Sequence, residues 1–173
     1  MARPAYHFRP LDTADLEMVR RWLAAPHVVE WWGDPDEQFE LVSSDLEDPA
    51  MKQFIVSTEG GPFGYLQCYD VGAWPNPGFG PQPAGTRAID QLIGKPDMIN
   101  QGHGSGFIRR FMDELLRTGT PRIITDPNPA NSRAIRAYEK AGFLRDRIVD
   151  TGDGWVVLML RQQQPLVPAT NSP

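Results

Sequence analysis

The segment QGHGSG, residues 101–106, has the composition of a loop that binds phosphate. Its three glycines allow backbone N–H groups to converge, and it leads into a predicted helix whose N-terminus adds positive partial charge. The dinucleotide pattern GxGxxG must follow the first strand directly, and a Walker A loop ends in Gly-Lys-Ser/Thr, so neither pattern fits. The segment predicts a phosphate site formed mainly by main-chain groups.

A second segment with candidate functional side chains is DPNPANSRAIRAYEKAGF, residues 126–143. Its pattern predicts a helix that follows Asn131, carries Tyr138 near its end and terminates at Gly142. The two segments therefore combine a predicted anion site with an amide and a phenol.

Together the two segments resemble the signatures of the GNAT superfamily of acyl-CoA-dependent N-acetyltransferases. Gln101, Gly104 and Gly106 match its (Gln/Arg)-x-x-Gly-x-(Gly/Ala) pyrophosphate loop. In that superfamily the residue at the place of Asn131 contacts the pantetheine arm, and the residue at the place of Tyr138 protonates the departing CoA thiolate. The resemblance implies acetyl-CoA as co-substrate, with contacts from Gln101, Gly102, His103, Gly104, Ser105, Gly106, Asn131 and Tyr138.

Over residues 7–161 the chain is similar to the aminoglycoside 6'-N-acetyltransferases. The matching pieces are HVVEWWG, FGYLQCYD, GTRAIDQLIG and the two signatures. In that family the Asp of the IDQ triplet, here Asp90, faces the acceptor amine, and a second acid near the end of the preceding strand also binds amines. Asp70 is the nearest candidate for that acid, but the proline-rich residues 72–84 depart from the family and leave its alignment open.

A cationic acceptor explains why carboxylates would gather at such a site. An aliphatic ammonium has a pKa of about 10.4, so the acceptor arrives protonated and cannot attack a thioester. A carboxylate attracts the cation and accepts its proton. We therefore predict Asp90 as base or proton relay and Tyr138 as acid, and acceptor contacts from Glu30, Trp31, Trp32, Tyr65, Asp70, Asp90 and Asp126. For Asp126, a plain role at the start of a loop is an equal alternative.

The tryptophan doublet in VVEWWGDPDEQFE, residues 28–40, is the predicted aromatic wall of the acceptor pocket. We expect it on a loop after a first helix that Pro26 ends, with one indole in the core and the other stacked on a cationic sugar beside Glu30. Trp74 and Phe79 are the candidates for the opposite wall.

Composition excludes several other functions. With 17 basic and 22 acidic residues the chain has a formal net charge of −5 and no dense Lys/Arg run, so nucleic acid and anionic membranes are poor partners. A single cysteine, Cys68, and three scattered histidines predict neither a disulfide nor a metal site. No apolar run approaches the roughly 20 residues of a membrane span, and we expect a soluble, cytoplasmic monomer or homodimer.

The predicted fold class is α/β (α+β): one GNAT-like domain over residues 1–161, followed by a loose tail at 162–173. Apolar periodicity predicts the order β-α-α-β-β-β-α-β-α-β-β and a mixed, largely antiparallel sheet. The resemblance adds that this sheet splays apart at the acetyl-CoA site, beside strand TRAIDQLIG, where a main-chain N–H stabilises the oxyanion.

Three alternatives remain open at this point. The acceptor could be another amine, such as a siderophore hydroxylysine precursor, a polyamine or a protein amine. The chain could instead be a non-catalytic module that binds acyl-CoA or an aminoglycoside. Cys68 could form an acetyl-enzyme, although no residue of the sequence is identifiable as its base.

Overall fold

Seven strands form one sheet in the order β1-β2-β3-β4-β5-β7-β6 in the computed structural model, which describes residues 4–163. The strands are β1 His7–Pro10, β2 Met51–Thr58, β3 Gly61–Asp70, β4 Arg87–Ile93, β5 Arg122–Thr125, β6 Leu144–Asp150 and β7 Trp155–Gln162. The helices are α1 Leu16–Leu23, α2 Pro26–Trp32, α3 Pro35–Ser44, α4 His103–Arg117 and α5 Ser132–Ala141.

The sheet opens between its two central strands. β4 and β5 form its parallel pair, and their register covers only Arg87 with Ile123 and Ala88 with Ile124. All other strand pairs of the described residues are antiparallel. The edge of β4 beyond Ala88 therefore faces a gap, which confirms the predicted mixed, mostly antiparallel sheet and its splay.

Strand β4 separates two layers of side chains. Ile89 is buried with Phe107 and Tyr138 of α4 and α5, whereas Leu92 is buried with Trp22 of α1 and Tyr65 of β3. Since successive residues of a strand point to opposite faces, Asp90 shares the face of Leu92, and Gln91 shares that of Ile89. Two adjacent polar residues of β4 thus serve opposite sides of the sheet.

The sequence prediction was wrong mainly at α2, where it expected a loop. Pro26 does not simply end the first helix: α1 ends at Leu23, and Pro26 occupies the first turn of a new helix that contains both tryptophans. Proline is favoured at this position because its missing N–H would have no partner in the helix. The aromatic doublet therefore lies on a helix and not on a loop.

The proline-rich segment 72–84 is a covering loop with one 3₁₀ turn at Pro77–Phe79. Phe79 is 2% exposed and packs with Val71 and Leu158, so it cannot form a wall of an acceptor pocket as expected. Trp74 instead lies against Tyr69, with ring centroids 5.7 Å apart. Burial of Phe79 fixes the loop to the sheet.

Two further expectations concern the C-terminal tail and membrane-spanning helices. β7 continues through Gln162, and residues 164–173, within the predicted loose tail, lie outside the described residues. Among residues 4–163, no helix has the length and apolarity needed to cross a bilayer.

Candidate active site

A cavity of about 350 Å³ lies where the sheet opens. Its floor is the end of β4, residues 91–93, and its sides are α2, the start of α4, residues 126–128 and α5. The cavity therefore joins both sequence signatures to the tryptophan doublet.

The start of α4 supplies the anion-binding side of this cavity. Gly102 precedes the helix in the left-handed conformation with φ of 83°, and an added Cβ there would meet no atom within 4 Å. The first turn carries no acidic residue, and the N–H groups of its first three residues, 103–105, have no carbonyl partner within the helix. Gly102, Gly104 and Ser105 all line the cavity. Helix α4 begins at His103, so four of the six residues of the glycine-rich segment form its first turn.

Three residues of the predicted phosphate loop do not line the cavity. Gln101 is exposed and donates to the carbonyl of Asp97. The Nδ1 atom of His103 is 3.1 Å from the hydroxyl of Tyr6. A Cβ on Gly106 would lie 2.5 Å from that same hydroxyl, so this glycine is required by packing against Tyr6. These residues shape the loop and fix it to the N-terminal segment.

Helix α5 supplies the two residues expected to contact the pantetheine arm and the thiolate. Asn131 caps the helix, since its Oδ1 accepts from the N–H of Ala134 at 3.0 Å, and its side of the helix lines the cavity. Tyr138 lines the same cavity but is 4% exposed. Burial and the charge of Asp90 raise the pKa of Tyr138, and polar contacts with Thr125 and Gln91 lower it in part. The phenol therefore keeps its proton.

Asp90 of β4 is near enough to Asp126, which follows β5, for its charge to act on it, and of the two only Asp126 lines the cavity. Burial raises the pKa of Asp90, and its hydrogen bond with Gln67 opposes this change. Burial and the nearby charge of Asp90 raise the pKa of Asp126 to about 8. Asp126 lines the cavity, as a residue that binds the acceptor would. Two carboxyl groups whose charges repel each other form a place where a cation is stabilised.

Gln67 of β3 holds the carboxylate of Asp90, and Tyr65 of the same strand holds Gln67. Gln67 lies opposite Asp90 in the β3–β4 register, and its Nε2 donates to Oδ2 of Asp90 at 2.9 Å. The hydroxyl of Tyr65 donates to Oε1 of Gln67 at 2.8 Å. Tyr65 is 0% exposed, so the structure does not place it at a surface where an acceptor binds.

Two predicted acceptor-binding acids lie elsewhere. Asp70 is two residues after Cys68 on β3, so both point to the same face of the sheet, on which α4 and α5 pack. This is the face opposite to Asp90. The carboxylate of Asp70 accepts from the N–H of Gly72 and forms an ion pair with Arg87 at 3.6 Å. Glu30 is exposed on α2 and does not line the cavity.

Helix α2 brings both tryptophans to the cavity. Trp31 and Trp32 line it and are half-buried. Trp32 also packs edge-on against Tyr65, with centroids 6.1 Å apart, which gives it the core contact expected of one member of the pair. His27 ties the helix to the end of β4, where its Nε2 lies 2.8 Å from the carbonyl of Ile93.

Sequence reasoning missed Gln67 and Tyr69 of β3. They lie two and four residues after Tyr65 on the strand, so all three point to the face of the sheet that carries Asp90. Burial raises the pKa of Tyr69, and the charges of Asp90 and Asp126 raise it further. The alternation of polar aromatic and amide residues in GYLQCYD was the available signal.

Cys68 is unsuited to nucleophilic chemistry. It is 4% exposed, and burial raises the pKa of its thiol to about 12, so the thiolate is scarce near neutrality. Within residues 4–163, no three His, Cys, Asp or Glu side chains are grouped so as to hold a metal ion.

Comparisons of sequence and of structure both find similarity to known acetyltransferases. The family described as Acetyltransferase (GNAT) domain matches residues 12–151. Aminoglycoside N(6')-acetyltransferase type 1 of Klebsiella pneumoniae is 36% identical over 166 residues, which cover 90% of this chain and 82% of that protein. A lysine N-acyltransferase of a Mycobacterium species is 26% identical over 151 residues, covering 82% of this chain and 60% of that protein.

Solved structures show the same similarity over the whole fold. The crystal structure of aminoglycoside acetyltransferase AAC(6')-Ib in complex with coenzyme A and kanamycin has a TM-score of 0.82 and 34% identity, and covers 92% of this chain and 96% of that one. The structure of AAC(6')-Ib with paromomycin and acetyl-CoA has a TM-score of 0.83 and 33% identity, with coverage of 98% and 99%. The similarity thus extends to proteins solved with both kinds of ligand.

Proposed function

The chain belongs to the GNAT family of acetyltransferases, alongside the aminoglycoside N(6')-acetyltransferases, and from this premise we propose that it transfers acetyl from acetyl-CoA to a primary amine of an aminoglycoside, the 6'-amine in particular. The observation that carries the proposal is a cavity that both cofactor signatures and Asp126 line, with the Asp90 carboxyl near enough to Asp126 to raise its pKa. A repelling carboxyl pair favours an acceptor with several ammonium groups over a neutral hydroxylamine.

The cavity fits acetyl-CoA on two counts. The N-terminus of α4 has no side-chain cap, so its N–H groups are available for a pyrophosphate. Arg133, Arg136 and Lys140 lie along the cavity side of α5, where they complement further phosphate charge. Acetyl-CoA supplies the activated acetyl group, and Asn131 is positioned to donate its amide nitrogen to the pantetheine arm.

Asp90 is the residue we assign to proton removal from the acceptor. Its raised pKa brings its basicity closer to that of an ammonium, and its hydrogen bond with Gln67 favours the ionised form that accepts a proton. Asp126 and the faces of Trp31 and Trp32 bind the remaining positive charge and the sugar ring. The proton moves directly from nitrogen to carboxylate or through one water.

Tyr138 is the residue we assign to proton delivery. Its raised pKa keeps the hydroxyl protonated at neutral pH, and its position on the cavity wall lets it give that proton to the departing thiolate. The acetyl group is transferred by direct attack, because the buried Cys68 thiol offers no acetyl-enzyme route.

The test is release of CoA thiol from acetyl-CoA with a panel of amines. Two aminoglycosides that differ only in an amine or a hydroxyl at the 6' position form the matched pair, and a hydroxylysine precursor and a polyamine represent other acceptors. We expect release with the 6'-amine compound, greatly reduced release with its 6'-hydroxyl partner, and an acetyl group located on the 6' nitrogen by mass spectrometry. Preference for the precursor or the polyamine would contradict the proposal, and acetyl-CoA binding without any release would indicate a non-catalytic module.

A further inference from the structure

We propose that Tyr65 is a positioning residue, which fixes the Gln67 amide so that its nitrogen donates to the Asp90 carboxylate. Tyr65 is 0% exposed, and therefore it influences the acceptor only through another side chain. Its hydroxyl is 2.8 Å from Oε1 of Gln67, and Nε2 of Gln67 is 2.9 Å from Oδ2 of Asp90. The three side chains form one chain of hydrogen bonds across β3 and β4.

The direction of the chain follows from donor and acceptor chemistry. An ionised carboxylate only accepts, and an amide has an oxygen that only accepts and a nitrogen that only donates. If the Gln67 amide were reversed, its oxygen would face the carboxylate of Asp90, and two acceptors would oppose each other. The phenolic proton of Tyr65 satisfies the oxygen of Gln67 and so selects the orientation that stabilises ionised Asp90.

The surroundings of Tyr65 keep it in this donating state. Burial raises its pKa well above the ordinary value, so the phenol stays protonated over the working range. Trp32 packs edge-on against its ring, and Ile55 of β2 lies opposite it in the β2–β3 register. Helix α2 therefore holds the phenol in place while it also lines the cavity.

This inference rests on the proposed function only for the role of Asp90 as base, so its test measures Asp90 directly. The Asp90 carboxyl is titrated by carbon-13 NMR in the acceptor-free protein, with its signal assigned from Asp90→Asn. We expect the midpoint in Tyr65→Phe to rise by about one pH unit, because loss of a charge-assisted hydrogen bond disfavours the ionised form.

A double-mutant cycle separates positioning from general loosening. Gln67→Leu should raise the midpoint as well, and Tyr65→Phe should add nothing in the Gln67→Leu background. Tyr6→Phe is the matched control, since it removes a phenol that contacts His103 instead, and it should leave the midpoint unchanged. An unchanged midpoint in Tyr65→Phe, an equal increment in the Gln67→Leu background, or an equal rise in Tyr6→Phe would each overturn the proposal.

Enzyme kinetics then test the proposed function separately. The acid limb of kcat/KM for the acceptor should move to higher pH in Tyr65→Phe by the same amount as the NMR midpoint. A moved midpoint with an unmoved acid limb would support the positioning role and remove Asp90 as the base.

Discussion

At the residue scale, the central feature is that Asp90 and Asp126 are held together in a setting that disfavours ionising both. Burial raises the pKa of each, and the charge of Asp90 raises that of Asp126 further, to about 8. At neutral pH Asp126 is therefore mostly protonated before the acceptor binds. An arriving ammonium reverses this balance because it stabilises both carboxylates.

Acceptor binding should consequently release a proton from Asp126. A nearby cation lowers its pKa from about 8, so at pH 7 we expect the wild type to release about one proton more per bound aminoglycoside than Asp126→Asn. Calorimetry in buffers of different ionisation enthalpy measures this difference. Asp70→Asn is the control, since its carboxylate lies with Arg87 on the other face. Equal release in the wild type and Asp126→Asn would refute the assignment, and a loss in Asp70→Asn would restore Asp70 as an amine-binding acid.

Motif residues were predictable at this scale, whereas residues that act through others were not. Asn131 and Tyr138 lie in a continuous signature, and Asp90 lies in the IDQ triplet. The role of Gln67 depends on its pairing with Asp90 across two strands, which the sequence of either strand alone does not contain. For the same reason Tyr65 was predicted to touch the acceptor, although its hydroxyl lies within the protein.

At the element scale, the beginning of α4 connects local conformation to cofactor binding. Gly102 has φ of 83° and lines the cavity, and Gly152, in the turn between β6 and β7, has φ of 92°. An added Cβ meets no atom within 4 Å at either position. The two glycines thus have the same backbone requirement, but only one of them borders the candidate cofactor site.

Replacing each glycine by alanine should separate strain from binding. Both variants should lose about 1 kcal/mol of unfolding free energy, since the left-handed conformation is costly for alanine. Only Gly102→Ala should also raise KM for acetyl-CoA, by about tenfold, because its methyl group enters the space next to the helix N-terminus. Chemical denaturation and steady-state kinetics provide the two measurements. Equal KM values in the two variants would exclude this turn from cofactor binding.

Element prediction succeeded where periodicity was long and failed where proline was ambiguous. The fifteen residues of α4 carry buried Phe107, Ile108 and Phe111 at helical spacing. Helix α2 has only seven residues, and its Pro26 is compatible with the end of one helix or the start of the next. Only packing, including the contact of His27 with Ile93, distinguishes these cases.

At the scale of the whole molecule, the fold explains how the proposed site can accept two substrates of opposite charge. The order of the elements and the superfamily resemblance were enough to predict a splayed mixed sheet, and the match to the GNAT family confirms the resemblance. The position of each acid around that opening was not predictable, because it depends on strand register and on which face each residue takes. The opening places the candidate anion site on α4 and α5, and the acidic pair beside β4.

The charge of the whole chain gives a final prediction about the acceptor. With a formal net charge of −5, the protein attracts a polycation over a distance set by ionic screening. The screening length falls from about 10 Å at 0.1 M salt to about 3 Å at 1 M. With acetyl-CoA saturating at each salt concentration, kcat/KM for an aminoglycoside with four or more ammonium groups should fall by about tenfold over this range. A fragment with two ammonium groups should lose much less, because fewer charges are attracted. Equal losses for both acceptors would show that the net charge of the chain has no part in attracting the acceptor.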